Sequence, residues 1–471
     1  MTYKIYTLGC KVNQYDSNSL SWKLIGAGFM PVEQDADLAI VNTCTVTKTA
    51  IHKDKRMFNK ARKENPRAKI VLMGCWVNAQ MSTRLHPRLR CSDVNSGQWP
   101  QISGLKADLV WGTGKPDELV KEILKFKSLF LEYNTIVNYQ TVKEDRSRYF
   151  IKVQDGCEQF CSYCVIAYAR GKLWSRPMAE IIDEIAGAVK KGYREIVLCG
   201  IHLGLYGINN RRDEAMPRLL CPFPSLKKNK VLSLNKDEAM PRLYELIMNV
   251  IKIKDLGRIR LSSIEVTEVT DEIIKLMAGN RKMCRHLHIP LQSGSDKILK
   301  LMNRPYTTAY FSKKVAKIRK AVPEVAITID VIIGFPGETE KEFKETYEFI
   351  KEMKFSRLHV FPFSAHEKTP AFQLPGQVKK EVIKERVEKL KRLGEKLEKE
   401  YEKQFLGQEL ALVIENMRGK AVKGINKRFI GKSEYYIDYY FEKPQIISSS
   451  EKIKEKIMVG KIIKVKIQRK P

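Results

Sequence analysis

The stretch Tyr149-Phe150-Ile151-Lys152-Val153-Gln154-Asp155-Gly156-Cys157-Glu158-Gln159-Phe160-Cys161-Ser162-Tyr163-Cys164 decides how this chain is read. Residues 149–153 have the alternation of a short strand, and Asp155-Gly156 breaks it. Three cysteines, Cys157, Cys161 and Cys164, follow within eight residues. Thiolates are soft ligands suited to iron, and a [4Fe–4S] cluster usually takes four of them. Three leave one iron with an open coordination position, which points to chemistry rather than to structural support. Two alternatives stand beside this reading. One is a zinc site completed by a fourth ligand such as His202, and the other is three buried cysteines with no metal.

Working outward, strand candidates recur at 149–153, 195–199, 258–262, 286–291, 325–333 and 357–362. Helical stretches at 178–191, 271–278, 308–320 and 339–353 alternate with them. Six such units predict a partial (β/α)6 barrel rather than a full eight-fold one. Polar and glycine residues follow the strands, as at Cys199-Gly200, Gln292-Ser293-Gly294 and Gly334-Phe335-Pro336-Gly337, and mark an active face. Upstream, residues 3–8, Leu38-Ala39-Ile40-Val41 and Ile70-Val71-Leu72-Met73 are strand-like and separated by helical stretches such as 48–64. They predict a small parallel α/β domain. All three end in a cysteine: Cys10, Cys44 and Cys75. Strand C-termini of a parallel sheet face one crevice, so three thiols far apart in sequence can meet there. The alternative is three core residues at strand ends.

The fold class expected is therefore α/β. Its parts are an N-terminal parallel domain over 1–131, a partial barrel over 143–375, a helical connector over 376–405 and a small closed β-barrel over 406–471. Residues 132–148 read as a linker. Asp213-Glu214-Ala215-Met216-Pro217-Arg218-Leu219 recurs unchanged at 237–243, which marks 213–236 as an inserted or duplicated loop whose excision should retain or raise activity; the alternative is a functional repeat. Cys221 lies inside it, and Cys91, Cys199 and Cys284 have no partner at ligand spacing.

Lys and Arg number 85 against 54 Asp and Glu, a formal charge of +31, which favours a polyanionic partner, nucleic acid first. A lysine-rich surface is the plain alternative. No run of eighteen apolar residues predicts a membrane span, and the first residues lack a secretory pattern, so a cytoplasmic protein is expected. In that compartment ten cysteines argue for metal or catalytic use rather than disulfides.

The stretch 154–164, with Arg170-Gly171 and Ser175-Arg176-Pro177, resembles the methylthiotransferase branch of the radical S-adenosylmethionine (SAM) enzymes. Thr7-Leu8-Gly9-Cys10-Lys11-Val12-Asn13-Gln14, Asn42-Thr43-Cys44 and Met73-Gly74-Cys75 resemble the N-terminal domain of that family. The wording of residues 9–14 and of Asn303-Arg304-Pro305-Tyr306-Thr307 is similar to the MtaB-type branch. That branch methylthiolates C2 of N6-threonylcarbamoyladenosine at position 37 of the tRNA anticodon loop. Other branches act on isopentenyladenosine or on a ribosomal protein side chain. A reading outside the enzymes is an RNA-binding iron–sulfur redox sensor.

The resemblance implies two [4Fe–4S] clusters, one on Cys157, Cys161 and Cys164 and one on Cys10, Cys44 and Cys75. It implies SAM both as radical source and as methyl donor, with Tyr163, Gly200, Gln292, Gly334 and Gly337 near it. It implies an electron donor such as flavodoxin or ferredoxin, no membrane, and a monomer. The C-terminal part is similar to the TRAM domain, an RNA-binding barrel. Arg170, Arg176, Arg418, Lys423 and Arg428 are candidate RNA contacts, and Tyr435, Tyr436, Tyr439 and Tyr440 are candidate stacking residues or barrel core. Ala167 and Val266 stand where the family usually has proline.

Overall fold

Apolar runs without two-residue alternation are the mark of strands covered on both faces. Leu38–Thr43 and Lys69–Gly74 are such runs, and both are inner strands of a parallel sheet in the computed structural model. The structure describes residues 1–81, 104–114, 116–127, 147–208, 236–415, 429–441 and 460–467. The described residues fall into two units. The first takes in Met1–Glu144, Gly156–Gly171 and Ser364–Gln373; the second takes in Asp145–Asp155, Lys172–Phe363 and Leu374–Pro471. The cysteine stretch after Asp155 thus groups with the N-terminal residues, and the helical connector and C-terminal strands group with the barrel.

In the first unit the order is β1 (Thr2–Thr7), α1 (Lys11–Gly26), β2 (Met30–Pro31), β3 (Leu38–Thr43), α2 (Lys48–Glu64), β4 (Lys69–Gly74), α3 (Cys75–Met81), β5 (Leu109–Trp111) and α4 (Pro116–Lys127). A five-residue helix, α5 (Ile166–Arg170), belongs to the same unit. The sheet order is β2-β1-β3-β4-β5, all parallel. Alternate strand residues go to opposite faces. Tyr3, Leu38, Ile40, Val71 and Met73 pack with Leu20 and Leu24 of α1 and Leu119 and Ile123 of α4. Tyr6, Ala39, Val41, Ile70 and Leu72 pack with Phe58 and Ala61 of α2.

In the second unit β6 (Tyr149–Lys152), β9 (Glu195–Cys199) and β10 (Arg258–Leu261) form one parallel sheet. The short β7 (Gln154–Asp155) and β8 (Trp174–Ser175) pair antiparallel across the base of the cysteine stretch. A second parallel sheet holds β11 (His286–His288), β12 (Ala326–Ile333) and β13 (Arg357–Pro362). Bridges Ile259–Met283 and Ser263–His288 join the two sheets into one parallel series of six strands. Helices α6 (Met178–Lys190), α7 (Lys236–Ile251), α8 (Asp271–Gly279), α9 (Asp296–Leu301), α10 (Thr308–Ala321) and α11 (Glu340–Met353) fill the crossovers. These bounds match the expected partial barrel to within a few residues. The connector is the 24-residue α12 (Lys380–Lys403), which lies along β13, with Gly394 close to Leu358.

The C-terminal part is a separate sheet of the second unit. Among the described residues β14 (Glu409–Glu415), β15 (Phe429–Ser433), β16 (Asp438–Phe441) and β17 (Ile462–Lys466) form a four-stranded antiparallel sheet. Its order is β16-β15-β14-β17, so β16 and β17 stand at opposite edges. Residues 213–235 of the insertion expected at 213–236, the linker residues 132–146, and Arg418, Lys423, Arg428, Cys91 and Cys221 lie outside the described residues. Residues 147–148, read as linker, are part of the second unit: Ser147 is buried and Arg148 pairs with Glu415 at 2.8 Å.

Candidate iron–sulfur centre

The first unit brings the sequence-distant cysteines to neighbouring strand ends. Cys10 follows β1, Cys44 follows β3 and Cys75 follows β4, and these three strands are adjacent in the sheet. Gly9 and Gly74 precede two of them at φ +99° and +106°. A Cβ on Gly9 would stand 3.0 Å from Cys44 Cβ and 3.1 Å from its Sγ. A Cβ on Gly74 would stand 2.5 Å from Asn42 Oδ1 and 2.6 Å from the Thr43 carbonyl. Both positions need glycine for conformation and for space.

Asn13, on the first turn of α1, ties the strand ends together. Its amide nitrogen donates to the carbonyls of Leu8 (2.9 Å) and Thr43 (2.8 Å). Its Oδ1 accepts from the Cys75 thiol at 3.6 Å and from Arg170. Asp54 of α2 is fully buried, and its carboxyl accepts the Cys44 N–H at 3.0 and 3.2 Å. Burial pushes that carboxyl up to about 8, against the Cys44 N–H, which pulls it down.

Arg170 comes from the other cysteine stretch. Val165 and Ala169 pack on Cys75 and Ala79 of α3, and Asn78 donates to the Ala169 carbonyl at 2.7 Å. This docking of α5 on α3 drives the Arg170 guanidinium, 1% exposed, among the strand-end cysteines. Its Nε donates to Cys75 Sγ at 3.2 Å and its Nη2 pairs with Asp16 at 3.2 Å. The reading of Arg170 as an RNA contact is therefore corrected. The Arg176 side chain is 12% exposed and pairs with Glu184 at 2.9 Å.

Burial pushes the Cys44 thiol up to about 11 and the Cys75 thiol up to about 12, while Arg170 pulls both down. Two buried thiols that resist ionisation, and a cation donating to one sulfur, form a donor set that iron can bind with loss of the thiol protons. The residues fit a cluster with three protein ligands. None of the described cysteines is in a disulfide.

Cys157, Cys161 and Cys164 lie on the loop that runs into α5. The Cys164 N–H donates to the Cys161 carbonyl (3.0 Å), and the Cys157 N–H to the Gly171 carbonyl (3.1 Å). The Ala371 N–H holds the Ser162 carbonyl at 2.8 Å. Cys161 is buried; Cys157, Cys164 and Tyr163 are half-buried. Three thiols on one short, internally bonded loop also fit a cluster. His202, the candidate fourth zinc ligand, is buried in the second unit against Glu268.

The remaining candidates are in the second unit. Gly200 follows β9, and a Cβ there would stand 3.0 Å from Gln154 Oε1. Gln292 has φ +65°, a left-handed conformation uncommon for a non-glycine residue. Its N–H donates to the Asp330 carbonyl and its carbonyl accepts from Ile332. The space beside Gly334 is filled by Ile383 of α12, 2.3 Å from a Cβ there, and the Gly337 N–H donates to the Gly376 carbonyl at 2.9 Å. Tyr435 and Tyr439 are buried with Phe405, and Tyr436 stacks on His286 at 4.5 Å, so these three rings serve the fold rather than bases.

Asn13 stands in the Gly9–Gln14 motif, which does not by itself reveal its role, and Asp54 carries no sequence signal.

Residues 151–350 match the Radical SAM superfamily, which sets the class of protein. Residues 2–93 match a family described as uncharacterized protein family UPF0004. The threonylcarbamoyladenosine tRNA methylthiotransferase MtaB of Bacillus subtilis (strain 168) is 35% identical, over 99% of this chain and 93% of that protein. The MtaB protein of Thermotoga maritima is 36% identical, over 93% and 91%. A tRNA-2-methylthio-N(6)-dimethylallyladenosine synthase of Carboxydothermus hydrogenoformans is 31% identical, over 99% and 96%. Among solved structures, the radical SAM methyltransferase TsrM from Kitasatospora setae shares the fold with a TM-score of 0.52 at 14% identity, covering 79% of this chain and 76% of that one. The chain belongs to the radical SAM tRNA methylthiotransferases.

Proposed function

We propose that this enzyme converts N6-threonylcarbamoyladenosine at position 37 of tRNA to its 2-methylthio derivative. The observation that carries the reading is the presence of two separate three-thiol sets in one unit of the fold. Relatives at 35% and 36% identity that bear this activity in their names support the choice of base. Cys157, Cys161 and Cys164 would hold the cluster that binds SAM, and Cys10, Cys44 and Cys75 a second cluster for the sulfur to be inserted. When bound, a three-cysteine [4Fe–4S] cluster with SAM supplies a carbon radical strong enough to take hydrogen from adenine C2.

The protein's share is positioning. Asn13 fixes the strand ends that carry the sulfur-side thiols, and Asp54 fixes the Cys44 backbone. Arg170 donates to Cys75 and balances thiolate charge. Gly200 and Gln292, which follow barrel strands, and Tyr163, next to Cys164, are the residues we assign to holding SAM. The basic charge of the chain favours the tRNA backbone, and Arg418, Lys423 and Arg428 remain candidates for it. A reductant of the flavodoxin or ferredoxin class, a monomeric state and a cytoplasmic location complete the proposal; no described helix is long and apolar enough to cross a membrane.

Nucleoside mass spectrometry of tRNA from a strain lacking the gene tests it. The expected result is loss of the methylthio form of threonylcarbamoyladenosine alone. Loss of methylthio-isopentenyladenosine instead would move the substrate to the other tRNA branch. An unchanged profile would overturn the reading.

A further inference from the structure

The inner face of strands β11 to β13 carries a polar layer that the cysteine chemistry does not use. His288 ends β11, Asp330 lies mid-way along β12, and His359 sits opposite Asp330 on β13. His288 Nε2 is 2.9 Å from Asp330 Oδ1, and His359 Nδ1 is 3.5 Å from the same oxygen. All three donor atoms lie within 4.8 Å of one another. The layer beneath is closed: His286 bonds Thr328 at 3.0 Å and stacks on Tyr436. The three side chains themselves are 15%, 22% and 38% exposed, so the layer is open to solute.

We infer that His288, Asp330 and His359 form a binding site for a first-row divalent transition-metal ion of the zinc or iron(II) class. Strand register sets His359 beside Asp330, and His288 reaches the same carboxylate oxygen from the strand on the other side, so two imidazoles flank one oxygen at 2.9 and 3.5 Å. An ion about 2.1 Å from each donor would see the two nitrogen–oxygen pairs at roughly 90° and 110°, between octahedral and tetrahedral angles. Two imidazoles with one carboxylate suit zinc, iron(II) or cobalt(II), whereas magnesium and calcium favour oxygen donors throughout. Three protein ligands leave a coordination position toward the solute side, for water or an oxygen donor. The site shares no ligand with either cysteine set.

The test uses the full chain with its clusters reconstituted under anaerobic conditions, incubated with zinc chloride and then desalted. Wild type should retain about one zinc per chain, in addition to its iron. Asp330→Asn, and separately a His288→Gln/His359→Gln double variant, should weaken zinc binding on the order of tenfold or more with iron unchanged. Circular dichroism of the near-isosteric Asp330→Asn protein checks the fold. Zinc-edge X-ray absorption should show nitrogen and oxygen neighbours. No zinc retained by wild type, equal retention by the variants, or sulfur neighbours at the zinc edge would each overturn the inference.

Discussion

Arg170 reaches Cys75, Asn13 and Asp16 from a helix of five residues, so its contribution depends on a side chain rather than on a large interface. Donation to a cysteine sulfur favours the more negative, reduced state of a cluster held there. Arg170→Met should therefore shift the sulfur-side cluster to a more negative midpoint potential, read by an EPR-monitored redox titration. Loss of such an outer-sphere partner commonly lowers activity about 10–100-fold. Arg170→Lys should not restore it, because an ammonium cannot supply the Nε and Nη donors in one plane. An unaltered potential in the methionine variant would show that the guanidinium is merely packed. The residue itself is plain in the sequence, six positions after Cys164. Its place is not, because α5 is carried to α3 by Val165 and Ala169, an apolar contact with no local signal.

At the scale of elements, glycines separate two kinds of constraint. Gly74 links β4 to Cys75 at φ +106°, with Asn42 and Thr43 where a side chain would go. Gly74→Ala should destabilise the first unit by more than about 1 kcal/mol and lower reconstituted iron. Gly187 lies inside α6 with nothing within 4 Å of an added Cβ. Gly187→Ala should stabilise by about 0.5–1 kcal/mol, seen as a higher melting midpoint. The barrel strands were legible because apolar runs stop at glycine or polar residues, as at Cys199-Gly200 and Ile333-Gly334. The pairing of β7 with β8 was not, since two-residue strands carry no periodicity. Short strands and glycines report turns but not closure, and among the described residues β16 and β17 are the outer strands of the C-terminal sheet.

Across the whole second unit, one carboxylate anchors the sheet of the barrel to the C-terminal sheet. Glu195 of β9 is fully buried and pairs with Arg258 (2.6 Å) and Arg260 (2.8 Å) of β10. Those guanidiniums go on to donate to the carbonyls of Ala411, Lys432, Ser433 and Glu434. Burial alone would raise the Glu195 carboxyl, but Arg258, Arg260 and Arg148 outweigh it and hold it well below the usual carboxylate range. Glu195→Gln should cost about 3–5 kcal/mol at neutral pH, as breaking a buried pair does. The native carboxyl is depressed relative to an unfolded value of about 4.3, so its contribution is whole above that pH and shrinks as pH falls. The gap in melting temperature between wild type and variant should narrow from pH 7 to pH 3, and a constant gap would refute the assignment. The apolar patterning of 195–199 and 258–262 shows the strands but not this node, because the acceptors lie more than 150 residues away.

The three strand-end thiols also differ in how they meet the outside. Cys10 is exposed, whereas Cys44 and Cys75 are buried behind Asn13 and Arg170. In cluster-free protein, electrophiles and oxidants therefore have one door. A brief pulse of iodoacetamide followed by peptide mapping should find Cys10 carboxamidomethylated well before its two neighbours. Air damage to this centre would then begin as a sulfenic acid on Cys10, a lesion that a small thiol reductant can reverse.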